Sequence, residues 1–254
     1  MAKTRIRLDV LLVDRGLVPS RERARALILA GQVTVEGKVV SKAGTPILVD
    51  ARVELAVPDH PYVGRGGVKL ANALDTFAVD PRDRRALDVG ASTGGFTDVL
   101  LKRGAASVIA LDVGHGQLDW GLRTDPRVIV REGVNARLLT PDDVPHKVSL
   151  VTIDVAFISL RHILPALPPF LDPSADVVAL VKPQFEAGRD QVGKHGIVSD
   201  PAVHESVIAS VTEAAVACGL SRIAMAASAI TGATGNQEFF LHLRALSSPP
   251  LVMG

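Results

Sequence analysis

Lys69, Asp154, Lys182 and Glu238 each stand at the edge of an apolar run, and the glycine-rich stretch DVGASTGGFT, residues 88–97, lies between the first two. Two amines and two carboxylates gathered in one place would neutralise one another when buried, and could orient a hydroxyl or take its proton. The glycine stretch poses a question of cofactor. A dinucleotide loop spaces its glycines so that a pyrophosphate rests on a helix N-terminus, and a P-loop ends in Gly-Lys-Ser/Thr. Gly90, Gly94 and Gly95 follow neither pattern, and no lysine lies within the stretch to reach a phosphate. Asp88, closing the preceding apolar run, would repel a phosphate and suits a cation. S-adenosylmethionine is cationic at its amino group and sulfonium and carries no phosphate. These residues therefore favour it over a nicotinamide or flavin, or over a loop with no ligand.

On that reading Asp88, Gly90, Ala91, Ser92, Gly94, Gly95, Phe96 and Thr97 supply the loop, with Asp154 bordering it. Asp112 and Val113 end the next apolar run, where an acid accepts hydrogen bonds from both ribose hydroxyls. Asn135 in EGVNAR is placed either for the adenosine or for a turn. Phe157 and Phe185 each follow one of the four charges by three residues and either stack on a nucleic-acid base or pack in the core. No metal is required: the seven histidines form no HxH or HExxH grouping, and Cys218 is the only cysteine. One cysteine also allows no intramolecular disulfide, which fits a reducing compartment.

These residues are positioned by an alternation of strand and helix. Strands are predicted near 85–90, 107–112, 127–131, 148–154, 176–182, 222–228 and 237–244, with helical segments between them. The fold class is α/β, a Rossmann-like seven-stranded sheet over residues 67–246, with helices on both faces. Ligands of such sheets bind beyond the carboxyl ends of the strands. Asp154 and Lys182 end two strands there. Glu238 opens the last strand, which reaches the same rim if it runs antiparallel. Lys69 lies in the first turn of a helix that starts at that rim and leads into the first strand.

Residues 1–57 read as a separate small α+β unit. RLDVLLVDRGL and RERARALILAG have helical apolar spacing, with Ser20 capping the second, and QVTVEGKVV reads as a hairpin about a Glu-Gly turn. The chain is nearly neutral overall, with 28 Lys+Arg against 27 Asp+Glu, but residues 1–42 carry an excess of five positive charges. Arg5, Arg7, Arg21, Arg23, Arg25 and Lys42, with Arg65 in the linker 58–66, are the predicted contacts for nucleic-acid phosphates. Residues 247–254 form a tail. No signal peptide and no run of about eighteen apolar residues is seen, so a soluble, cytoplasmic monomer is expected.

RLDVLLVDRGLVPSRERARALILAGQVTVEGKVV resembles the S4 domain, an RNA-binding module. Lys69, Asp154, Lys182 and Glu238 match in order the Lys-Asp-Lys-Glu tetrad of ribose 2′-O-methyltransferases of the FtsJ type. The whole chain resembles the TlyA family of ribosomal RNA methyltransferases through GRGGVKL, DVGASTGGFTDVLL, DVGHGQL, NAR, FISL, LVKPQFE and GNQEFFL. The resemblance implies methylation of cytidine 2′-hydroxyls in large-subunit, and in some members small-subunit, ribosomal RNA, with effects on antibiotic susceptibility. For that reaction Lys182 is expected as the base or the hydroxyl's activating contact, with Asp154 orienting the hydroxyl near the methyl and Lys69 and Glu238 positioning Lys182 and the ribose. Rival readings are a methyltransferase for another substrate, an RNA-binding assembly factor, and a membrane-active haemolysin-like protein, since the family also carries a haemolysin label.

Overall fold

Two short helices with aliphatic stripes cannot bury those stripes alone, and in the N-terminal unit they close over small strands. The computed structural model describes residues 4–18, 20–56 and 60–246. It divides into two compact units between Pro61 and Tyr62. The first contains β1 (Arg5–Arg7), α1 (Leu8–Asp14), α2 (Arg21–Leu29), β2 (Val33–Val35), β3 (Lys38–Val39), β4 (Pro46–Leu48) and β5 (Val53–Leu55). Ser20 caps α2 by accepting from Arg23 N at 3.2 Å. Glu36 and Gly37 both have positive φ, 50° and 74°, as a two-residue hairpin between β2 and β3 requires. The core is Leu8, Leu12, Ala24, Ile28, Val33 and their neighbours. The antiparallel pair β1–β4 leaves no mark in the sequence, because three-residue strands give too little alternation to detect.

The second unit runs α3 (Gly66–Phe77), β6 (Arg85–Val89), α4 (Gly95–Lys102), β7 (Ser107–Asp112), α5 (Trp120–Arg123), β8 (Val128–Glu132), β9 (Val148–Ile153), β10 (Leu171–Val181), α6 (Pro183–Glu186), α7 (Pro201–Ala217), β11 (Leu220–Ala227) and β12 (Phe239–Ala245). Its seven-stranded sheet has the order β11-β12-β10-β9-β6-β7-β8, with β12 antiparallel to both neighbours and the other pairs parallel. Leu87, Val89, Ile109, Val151 and Ile153 face one apolar core, while Ala86, Val108, Ala110, Leu150 and Val178 face the other. This is the two-sided burial of a parallel sheet. Between β9 and β10 the chain makes three short 3-10 turns, Leu160–His162, Leu164–Ala166 and Pro168–Phe170, rather than the expected helix. Pro165, Pro168 and Pro169 lack the N–H groups that a longer helix would need. The tail 247–254 and residues 57–59 lie outside the described residues.

Candidate active site

Strand register brings the four charges together. Ile153 of β9 pairs with Val89 of β6 and Ala179 of β10, and Val181 of β10 pairs with Phe239 of β12. The residues that follow or precede these partners, Gly90, Asp154, Lys182 and Glu238, therefore leave adjacent strands at one rim. Lys182 Nζ stands 2.6 Å from Asp154 Oδ1, an ion pair outside hydrogen-bond geometry. Lys69 Nζ donates to Glu238 Oε2 at 2.5 Å in a pair that is almost wholly buried. The second pair is thus closed off, while Lys182 and Asp154 keep some exposure.

Glycine is needed where these segments touch. A Cβ on Gly90, at φ 84°, would lie 2.3 Å from the Asp154 carbonyl oxygen. A Cβ on Gly95 would lie 3.0 Å from Gly67 N, so the TGG and RGG stretches meet backbone to backbone. That close approach sets the start of α3, and with it Lys69, against the loop.

A cavity of about 640 Å³ opens beside the rim, and its walls include Gly90, Ser92, Asp112, Val113, Asn135 and Asp154. Asp112 accepts from Ser92 N at 2.8 Å and Gly114 N at 2.7 Å. Each of its oxygens keeps a lone pair for a ligand. Asn135 Oδ1 accepts from Arg137 N at 3.1 Å and caps a short turn, and the residue also lines the cavity. Gln117 and Arg137 also line the cavity and were missed; Gln117 accepts from Ser92 Oγ at 3.2 Å. Both lie in stretches, DVGHGQL and NAR, in which only Asp112, Val113 and Asn135 are expected at the cofactor.

Asp88 departs from expectation. It is fully buried, lies off the cavity wall, and accepts from Thr97 Oγ1 at 2.7 Å and Thr152 Oγ1 at 2.9 Å. Its parity along β6 matches Ala86, which turns it to the interior face where Thr152 is its register partner. Burial pushes its carboxyl up to about 6, against the pull of the two hydroxyls. Asp88 ties the loop helix to the sheet. Ala91, Gly94, Gly95, Phe96 and Thr97 likewise lie off the cavity wall; Phe96 is buried 6.2 Å from Phe240, ring to ring. These residues shape the loop from behind.

Phe157 is 90% exposed, has φ 62°, and lies 5.0 Å from the Phe185 ring. Core packing is thereby excluded for Phe157. Arg65 donates to the Thr231 carbonyl at 2.6 Å, next to the Gly232 that abuts Glu238.

In the N-terminal unit the fully buried Asp9 gathers three of the predicted arginines. Arg7 donates to it at 2.9 and 3.1 Å, Arg21 at 3.0 Å and Arg25 at 3.3 Å. The Arg7 guanidinium foremost, then Arg21 and Arg25, hold the Asp9 carboxyl well below the usual carboxylate range, against the opposing effect of burial. Each arginine remains about half exposed, and three positive charges over one negative leave a net positive patch. Arg5 and Lys42 are exposed in the same unit, and Arg23 donates to the His60 carbonyl at 3.3 Å. Among the described residues no helix is long and apolar enough to cross a membrane, and no group of three His, Cys, Asp or Glu could hold a metal.

Residues 62–245 match the FtsJ-like methyltransferase profile and residues 6–53 the S4 domain, so the chain belongs to the FtsJ-like methyltransferases. Within that class it stands with the TlyA proteins. It is 47% identical over 241 residues to the 16S/23S rRNA (cytidine-2'-O)-methyltransferase TlyA of Mycobacterium tuberculosis, covering 94% of this chain and 90% of that one. It is 39% identical over 241 residues to Hemolysin A of Brachyspira hyodysenteriae, covering 93% and 99%. A solved hemolysin-type chain from Streptococcus thermophilus superposes with a TM-score of 0.76 at 45% identity, over 98% of this chain and 91% of that chain. An S-adenosylmethionine dependent methyltransferase from Mesorhizobium loti shares the fold alone, with a TM-score of 0.52 at 14% identity over 71% of this chain and 100% of that one.

Proposed function

We propose that the chain is an S-adenosylmethionine-dependent methyltransferase acting on a cytidine ribose 2′-hydroxyl in ribosomal RNA, of the large and in some cases the small subunit. The observation that carries this reading is the convergence of Lys182–Asp154 and Lys69–Glu238 beside a cavity lined by Gly90, Asp112 and Asn135. The cavity suits the proposed donor: two acids, Asp112 and Asp154, stand at its wall against one cation, Arg137, and Asp112 offers free lone pairs where a ribose diol would need acceptors. When bound, S-adenosylmethionine supplies a methyl carbon activated by a sulfonium.

The chain's own residues act on the hydroxyl. Lys182 contacts the 2′-oxygen and its amine nitrogen takes the hydroxyl proton as the oxygen attacks, while Asp154 orients the hydroxyl and holds the ammonium that forms. The buried Lys69–Glu238 pair fixes α3 and β12 behind them. Positioning contributes most, because holding two reacting atoms about 3 Å apart in line removes much of the entropic barrier. The exposed Phe157 ring beside Phe185 offers a face on which the target base can stack, as ring-on-base contacts do in RNA recognition. The arginines over Asp9, with Arg5, Arg23 and Lys42, grip RNA phosphates, and Arg65 joins them only if it leaves Thr231. Such a substrate agrees with an enzyme of the cytoplasm, and the proposed chemistry uses no metal.

Incubating the protein with tritiated S-adenosylmethionine and separated ribosomal subunits tests this directly. Label in alkali-resistant dinucleotide linkages is expected, because a 2′-O-methyl group blocks cleavage. Label on bases, or on small molecules only, would contradict it.

A further inference from the structure

Glu186 is a buried carboxylate that the scheme above leaves without a task. It closes α6, four residues after Lys182, yet its side chain binds the segment that follows Asp154. Ser159 Oγ donates to Oε2 at 2.5 Å and Leu160 N donates to Oε1 at 2.7 Å. The Arg161 guanidinium stands 3.7 Å from Oε2 and donates to the Glu186 carbonyl at 3.2 Å. Ser159 has no freedom to turn away. Its two lone pairs accept from Arg161 N at 3.1 Å and Arg161 Nε at 3.0 Å, which leaves its single proton for Glu186. Both carboxylate oxygens therefore face donors.

Two chain segments are fastened here, and the reacting groups lie between the fastening and the sheet. One segment leaves β9 and runs from Asp154 through Phe157 to Ser159; the other leaves β10 and runs from Lys182 through Phe185 to Glu186. They meet at three levels: the 2.6 Å Lys182–Asp154 ion pair, the 5.0 Å contact of the two phenyl rings, and the Glu186 hydrogen bonds. Phe157 holds a left-handed φ that a bulky residue rarely adopts, so its segment needs restraint from outside to stay there.

We propose that Glu186 is a positioning residue for methyl transfer: its carboxylate clamps the Asp154 segment to the Lys182 segment and so fixes both the ion pair and the aromatic pair. The inference rests on the methyl-transfer reading of the same rim. An amide cannot replace the carboxylate fully, because its NH2 would meet either the Ser159 hydroxyl, whose lone pairs are taken, or the Leu160 N–H.

The test compares wild type, Glu186→Ala and Glu186→Gln for kcat and KM in tritium transfer to ribosomal RNA, with S-adenosylmethionine affinity by calorimetry and thermal melting as controls. The clamp predicts a kcat lowered roughly tenfold or more in Glu186→Ala, since displacing a catalytic group by about 1 Å can cost a hundredfold. A smaller loss is expected in Glu186→Gln, with cofactor affinity within about twofold of wild type in both. If Glu186→Ala unfolds or loses the cofactor, the near-isosteric Glu186→Gln decides. A lowered kcat with full cofactor affinity supports the clamp, and a wild-type kcat overturns it. A wild type that labels no RNA overturns the reading of the rim and the clamp together, whereas an active wild type with an equally active Glu186→Gln overturns the clamp alone.

Discussion

Asp9 in the N-terminal unit and Asp88 in the catalytic unit are both carboxylates with no exposed surface, yet their surroundings move them in opposite directions. Asp9 meets three guanidiniums and is held far down; Asp88 meets two hydroxyls and is pushed up to about 6 by burial. Charge on the donor decides whether a buried acid stays ionised comfortably, since a hydroxyl offers a hydrogen bond without neutralising the ion. The consequence differs as well. Asp9 spends its charge turning three cations toward solvent as a patch for a polyanion, while the four charges at the rim of the second unit pair one to one, and of those two pairs only Lys182–Asp154 is partly open.

That contrast separates binding from chemistry, and substitutions can break it. The largest effect is expected for Asp9→Asn on the stability of the first unit, by about 3 kcal/mol, because four hydrogen bonds from three guanidiniums converge on that buried carboxylate and an amide cannot accept them as a charge does. Calorimetric melting of the full chain measures it. In the folded fraction, specific RNA affinity falls while the salt dependence of binding becomes no shallower, since the arginines keep their charges and lose their aim. Arg25→Ala should instead flatten the salt slope by about 1. Its transfer rate at saturating RNA should be unchanged, which filter binding and single-turnover labelling distinguish.

Gly90→Ala sharpens the comparison from the other side. A methyl group 2.3 Å from the Asp154 carbonyl, at a φ of 84°, must displace the Asp154 segment. A loss of about 2 kcal/mol in stability is expected, with unaltered RNA affinity and with cofactor binding weakened because Gly90, unlike Glu186, itself forms part of the cavity wall.

The remaining effect is on pH dependence, and the two acids give opposite signs. Asp9's folded pKa lies below its unfolded value, so its stabilisation is present above about pH 4 and is lost as pH falls through the depressed folded value. Asp88's folded pKa, about 6, lies above its unfolded value near 4, so the fold binds more protons between them and stability declines as pH rises through that window. In Asp88→Asn the decline between about pH 4 and pH 6 should disappear from melting curves. A variant that melts with the wild-type pH profile would show that Asp88 is not the group responsible.

Much of this arrangement is legible in the chain, and its limits have physical causes. Asp154, Lys182 and Glu238 can be placed on one rim because apolar runs mark strands, and an antiparallel last strand begins where its neighbours end. Asp88 could not be assigned by position alone, since a strand-end acid looks the same whether it faces a cavity or the interior. Thr152, sixty-four residues on, settles it, and only pairing reveals which residues meet across strands. Glu186 was invisible for a similar reason: its partners Ser159 and Leu160 are distant in sequence and come from a segment whose prolines replaced a helix by turns. The second β-pair of the first unit was lost to brevity.

On the proposed reading the Lys182–Asp154 pair serves transfer to a ribose oxygen. Single-turnover transfer from tritiated S-adenosylmethionine to ribosomal RNA by Lys182→Ala, with cofactor affinity measured alongside, tests it most directly. The account predicts a rate lowered by roughly a hundredfold or more with cofactor affinity retained. Wild-type transfer by Lys182→Ala into alkali-resistant linkages would contradict it.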